Sequence, residues 1–127
     1  MKRGTLLNAE LSGLVAAMGH GDLIVVGDAG LPVPPGVRVI DLAVTRGVPG
    51  LFDVLDALLS ELVVERAAIA TEASEELAHA FRQRSIGRVE TVSHEDFKRL
   101  SRDARAVVRT GEFTPYANIC LWSGVAF

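Results

Sequence analysis

His20 stands between two glycines in Gly19-His20-Gly21-Asp22, eight residues before Asp28. An imidazole titrates near neutral pH and can give or take a proton without strong perturbation, and the flanking glycines would let a small substrate approach closely. The competing reading is a capping or surface histidine. Asp28 directly follows the apolar, β-branched run of LIVVGDAG. Open α/β sheets bind ligands beyond the carboxyl ends of their strands, which makes Asp28 a candidate; an Asx-turn closing the loop competes, and turn propensity favours it. If Asp28 accepted a hydrogen bond from His20 it would hold the imidazole in one tautomer and favour the imidazolium, whereas contact with a substrate hydroxyl would make Asp28 a positioning group. Spacing alone leaves both open.

His94 and Lys98 are four residues apart in SHEDFKRL. On a helix they share a face and would present an imidazole and an ammonium to one cavity, although charged residues at this spacing more often form a solvated face. His79 lies among Glu75, Glu76 and Arg82 and is expected at the surface. In TGEFTPYANICLW, Tyr116 and Asn118 combine an aromatic wall with amide donors and acceptors just before a strand. Sugars suit that pairing, with CH faces against a ring and hydroxyls on polar handles; a Pro-led turn with a packed tyrosine fits equally. There is no GxGxxG, P-loop or CxxC, and GDAG lacks a nucleophilic serine. The three histidines and Cys120 match no familiar metal spacing. What remains is a small polar-ligand site with one or two histidines, working by proton transfer without cofactor or metal.

Several elements must position these groups. Leu7, Leu11, Leu14, Val15 and Met18 trace an amphipathic helix with Asn8 as N-cap and Gly19 as terminator, which puts His20 just past a helix end. LIVVGDAG reads as a buried strand emptying into a loop kept extended by Pro32, Pro34 and Pro35. Val37 to Val44 is a second strand. A helix carrying Phe52, Leu55, Leu58, Leu59 and Leu62 follows Gly47, Pro49 and Gly50. Arg66 to Ala70 is a third strand, Ser74 to Arg84 a polar helix, RVETV a fourth strand, and Ser93 with Asp96 opens a short helix. Arg105 to Arg109 and Asn118 to Trp122 are two late strands. Strands alternating with helices imply an α/β fold: a three-layer domain over residues 1–127 with a largely parallel or mixed central sheet.

Composition bounds the function. The chain has 127 residues, 13 Lys and Arg against 16 Asp and Glu, a net charge of −3 and 49% hydrophobic residues. Mean hydropathy is +0.30, which describes a folded globule with little polar covering, some of it expected to meet another subunit. Positive charge is scattered among acids, so neither nucleic acid nor an acidic membrane is expected as a partner. One cysteine cannot form an internal disulfide, which points to a reducing, cytoplasmic compartment. Asn8 and Glu10 interrupt any apolar leader, so the chain is expected to be mature as it stands, and no stretch reaches the roughly 18 apolar residues of a membrane span.

Seven blocks in order, KRGTLLNAEL, MGHGD, VVGDAGLPVP, VTRGVPG, SHEDFK, RTGEFTPYANI and GVAF, resemble the ribose branch of the RbsD/FucU sugar mutarotase family nearly end to end. The resemblance implies cofactor-free interconversion of the pyranose and furanose forms of D-ribose, with exchange of fucose or another sugar, or sugar binding without catalysis, as alternatives. It implies that His20 is the proton donor and that Asp28, His94, Lys98, Tyr116 and Asn118 bind the sugar. It further implies a homo-oligomer, commonly a decamer of paired pentameric rings, whose active site is shared between subunits. The stretch between RAAIA and RVETV is shorter than in many family members, away from the matched blocks.

Overall fold

The computed structural model describes all residues 1–127. The strands are β1 (Leu23–Gly27), β2 (Arg38–Asp41), β3 (Val64–Ala70), β4 (Arg88–Val92), β5 (Ala106–Arg109) and β6 (Ile119–Ser123). The helices are α1 (Ala9–Ala17), α2 (Leu51–Leu59), α3 (Glu75–Arg82) and α4 (His94–Leu100), the last running into a 3₁₀ turn at Ser101–Asp103. The six strands form one mixed sheet in the order β2-β5-β1-β6-β3-β4. Only β6 runs against its neighbours, pairing antiparallel with both β1 and β3. The carboxyl ends of β1 to β5 therefore share one edge, where β6 begins, and their amino ends share the other.

Side chains on a strand alternate between faces. In β1, Ile24 and Val26 enter the larger core with Leu11 and Leu14 of α1, Leu51, Val54, Leu55 and Leu58 of α2, and Leu77 and Phe81 of α3. Leu23 and Val25 point the other way, into a smaller core with Leu31 and Phe97. All five residues of β1 are buried, so the continuous apolar run is that of a strand covered on both faces. This is the expected three-layer α/β arrangement.

Helix starts follow local chemistry. Asn8, Ser74 and Ser93 each accept a hydrogen bond from the backbone N–H three residues on. Phe97 is the one fully buried side chain of α4, and removing an aromatic of that size from water contributes about 2–3 kcal/mol. It anchors His94, one turn earlier, at the sheet's carboxyl edge. Two local expectations change. Leu6 rather than Leu7 is buried ahead of α1, because Leu7 precedes the N-cap and lies off the helical stripe. β2 ends at Asp41 instead of Val44, because Asp41 Oδ1 accepts the Ala43 N–H and turns the chain.

Candidate functional site

At the carboxyl edge, Asp28 leaves β1 and meets Asn118, the residue before β6. Asn118 Oδ1 accepts the Asp28 backbone N–H at 2.8 Å, and Asn118 Nδ2 donates to Asp28 Oδ2 at 3.0 Å. The other carboxylate oxygen, Oδ1, accepts the Gly30 N–H at 2.9 Å and closes an Asx-turn. The turn reading of Asp28 is thus correct, and it leaves Oδ2 to the Asn118 contact. Asn118 is 1% exposed and engages Asp28 through both its amide oxygen and its amide nitrogen, so it acts as a fixed support for that carboxylate. A side chain at Gly27 could not fit, since a Cβ there would lie 2.6 Å from Leu31 Cδ2 and 2.9 Å from Asn118 Oδ1.

Thr114 to Ala117 forms a turn closed by Ala117 N–H donating to Thr114 O at 3.2 Å. Pro115 and Tyr116 hold the central positions, and φ of +61° at Tyr116 marks a type II turn. Glycine normally takes that place; a left-handed tyrosine costs on the order of 1–3 kcal/mol and persists only where surroundings impose it. Here the ring stands edge-on to His94, with centroids 5.2 Å apart. The His94 backbone N–H is accepted by both Glu72 carboxylate oxygens, at 3.1 and 3.0 Å, while its Nδ1 is shielded from solvent without a hydrogen-bond partner. Lys98 is one turn further along α4. Its Nζ pairs with Glu95 at 2.6 Å, and that hydrogen bond and charge hold the Glu95 carboxyl below its ordinary range.

A cleft of about 580 Å³ opens between the loops after β1, β2 and β5, within the size range of small-molecule sites. Asp28, Thr45, Arg46, Arg109, Glu112 and Thr114 are among its lining residues. Arg109 ties the walls together, donating to Ala29 O and to Asp41 Oδ2, each at 2.9 Å. Glu112 accepts the Leu51 N–H at the start of α2 and the Thr114 hydroxyl. Burial raises the Glu112 carboxyl, but hydrogen bonds from Leu51, Thr114 and Phe113 outweigh it and leave the group below its ordinary range. Cys120 takes no part: it is fully buried in β6, and burial pushes its thiol up to about 12, so it stays protonated. No three His, Cys, Asp or Glu side chains converge as a metal set.

His20 lies at the opposite edge. Asp22 N–H donates to Gly19 O at 3.2 Å, and φ of +82° at Gly21 makes this a type II turn with His20 at its tip. Asp22 Oδ2 accepts the Gly19 N–H and pairs with Arg105, while Gly21 N–H donates to Ser123 O. His20 Nε2 contacts Glu65 Oε2 at 2.9 Å, and both side chains are exposed. β1, five residues long, separates His20 from Asp28 by about 16 Å at a rise of about 3.3 Å per residue. Within one chain Asp28 therefore does not hold the His20 tautomer; Glu65 occupies that place.

The structure thus brings Asp28 to Asn118 and His94 to Tyr116, leaves Lys98 engaged with Glu95, and sets His20 apart. His79 is exposed, as expected. Sequence reasoning missed Glu65, Glu72, Arg109 and Glu112. Arg109 and Glu112 carried a signal, as the lone base and the lone acid of the RTGEFTPYANI block.

Residues 1–126 match the model of the RbsD / FucU transport protein family. The chain is 60% identical over 131 residues to a protein from Paracidovorax citrulli named D-ribose pyranase, with all of both chains covered. Among solved structures it is similar to Bacillus subtilis RbsD complexed with D-ribose, at a TM-score of 0.94 and 45% identity with 100% of each chain covered. It is also similar to the fucose mutarotase of Streptococcus pneumoniae in complex with L-fucose, at a TM-score of 0.82 and 26% identity over the whole of both chains.

Proposed function

The chain belongs to the RbsD / FucU family, and from that premise we propose that it is a D-ribose pyranase, a cofactor-independent isomerase interconverting the pyranose and furanose forms of D-ribose. The observation that carries this is full-length identity of 60% to a protein of that name. The closer likeness to the ribose-bound structure than to the fucose-bound one favours the ribose branch.

Opening a hemiacetal requires a proton on the ring oxygen and loss of one from the anomeric hydroxyl as the bond between C1 and the ring oxygen breaks. The open aldehyde is then attacked by a different hydroxyl, and reclosure returns both protons, so none is consumed. In our reading His20 delivers the proton to the ring oxygen. Asp28, held by Asn118 and by its own turn, has carboxylate lone pairs left for a sugar hydroxyl. His94 and Tyr116 form an apolar wall with polar tips, and Lys98 orients hydroxyls once drawn from Glu95. Restraining the open chain keeps the hydroxyls that close the six- and five-membered rings within reach of C1, so either ring can re-form.

Because β1 separates His20 from Asp28, the site needs two copies, with the amino edge of one sheet meeting the carboxyl edge of the next. Head-to-tail contacts close into rings where the rotation between copies closes, and we assign the chain to a homo-oligomer of that kind, a decamer of paired pentameric rings. Val44, Val48 and Phe113, exposed beside the cleft, supply apolar surface for the contact. Residues 1–127 act as one domain, and Cys120, free and unpaired, suits the cytoplasm as compartment.

The test is NMR saturation transfer between sugar ring forms at sub-stoichiometric protein, run in parallel on D-ribose, L-fucose and other pentoses. Catalysed ribose exchange, abolished in a folded His20→Ala variant, is expected. Binding without catalysed exchange would make the protein a sugar-binding module, and faster fucose exchange would move it to the other branch. Full activity in His20→Ala would remove His20 from the mechanism.

A further inference from the structure

We propose that Glu65 is the positioning residue of His20, holding its ring so that Nδ1 is the nitrogen facing the sugar. The inference rests on the reading of His20 as proton donor and adds which nitrogen does the work and what orients it. Glu65 Oε2 lies 2.9 Å from His20 Nε2. A carboxylate only accepts, so Nε2 must carry a hydrogen whether the ring is neutral or charged. Nδ1 is then the position that gains and loses the mobile proton.

Two further features show that the chain is shaped to put Glu65 there. The pairing of β3 with β6 shifts register between Val64, opposite Ser123, and Arg66, opposite Trp122. Glu65 is the extra residue of a β-bulge, a device that re-aims one side chain out of the strand's alternation. The residues just before β4 and just after β6, where the chain comes closest to Glu65, are both glycine. A Cβ on Gly87 would lie 2.1 Å from Glu65 O, and one on Gly124 would lie 3.1 Å from Glu65 Cβ. The other charged groups at the turn are already committed, since Asp22 binds Gly19 N–H and Arg105. Glu65 is left as the one carboxylate free to orient the imidazole.

The test compares Glu65→Ala and Glu65→Gln with wild type in the ribose exchange assay, with long-range ¹H–¹⁵N spectra of the His20 ring. Glu65→Ala should lower kcat at least about tenfold, with KM changed less than about twofold, and should populate the Nδ1–H tautomer of His20. Glu65→Gln keeps an acceptor oxygen and should retain kcat within about threefold. The proposal is overturned if Glu65→Ala keeps kcat within twofold, or if its loss comes with altered oligomer mass, which would assign Glu65 to assembly. His20→Ala is measured alongside. If that variant stays active, the functional reading has failed; if it is inactive while Glu65→Ala is unimpaired, only this inference has.

Discussion

Replacing Asn118 by aspartate keeps the shape of the side chain and changes one polar contact from attraction to repulsion. The backbone N–H of Asp28 must meet an oxygen, so the Asn118 amide nitrogen is the atom facing Asp28 Oδ2, at 3.0 Å. In Asn118→Asp two carboxylate oxygens face each other at that separation. With an effective dielectric constant of about 20, two unit charges 3 Å apart repel by about 5–6 kcal/mol. Sharing one proton is cheaper: keeping a carboxyl protonated costs about 1.4 kcal/mol for each pH unit above its unfolded value near 3.9. The cost is then about 4 kcal/mol at pH 7 and about 1.5 kcal/mol at pH 5. The pair binds its proton more tightly folded than unfolded, so stability is full at acid pH and declines as pH rises, until repulsion caps the loss near about pH 8. Urea unfolding of wild type and variant at pH 5, 6 and 7 reads this directly. The gap should widen by about 1.4 kcal/mol per unit. A gap equal at all three values, or no gap at pH 7, would show that the two side chains do not face each other.

Tyr116→Gly should relieve a left-handed φ costing about 1–3 kcal/mol while losing a ring contact worth about 1 kcal/mol, so thermal stability should hold or rise by up to about 2 kcal/mol. Ribose affinity should meanwhile fall at least about fivefold in an NMR titration, as expected for losing one wall of a small-ligand site; intact binding would remove Tyr116 from it. Glu112→Gln tests a carboxyl held below its ordinary value near 4.5. A depressed group contributes stability above its unfolded pKa and loses it as pH falls through the folded one. The variant should therefore be less stable than wild type at pH 7, with the gap closing below about pH 4.5 in thermal melts; a constant gap would contradict the hydrogen bonding described.

Features that act over three or four residues were legible in the sequence. Asn8, Ser74 and Ser93 cap their helices through bonds to N–H groups three positions ahead, so residue type and spacing suffice. The Pro-led turn at Tyr116 and the Asx-turn at Asp28 belong to the same class. What depends on the choice of partner strand was not legible. Nothing in NICLW says that β6 inserts between β1 and β3 against both, and that insertion is what brings Asn118 beside Asp28 and Ser123 beside Gly21. Glu65 was invisible for the same reason, since a bulge is a property of two strands and the sequence placed the start of this strand only at Arg66. The separation of His20 from Asp28 follows once the intervening residues are known to be extended, because a strand keeps its ends apart where a hairpin would join them.

That separation also yields a test needing no structure of the assembly. If each site takes His20 from one protomer and Asn118 from its neighbour, His20→Ala and Asn118→Ala each spoil every site in a pure ring. In mixed rings a site regains both groups when its histidine comes from the Asn118 variant and its asparagine from the His20 variant. With equal mixing and random order this happens at about one site in four. Two nearly inactive proteins, unfolded together and reassembled at equal concentration, should therefore recover about a quarter of wild-type ribose exchange. A site closed within one chain would recover none, since every chain in the mixture lacks one group. Recovery must also fall as the ratio departs from equality, following the product of the two fractions, and that curve separates shared sites from wild-type contamination, which would not depend on the ratio in that way.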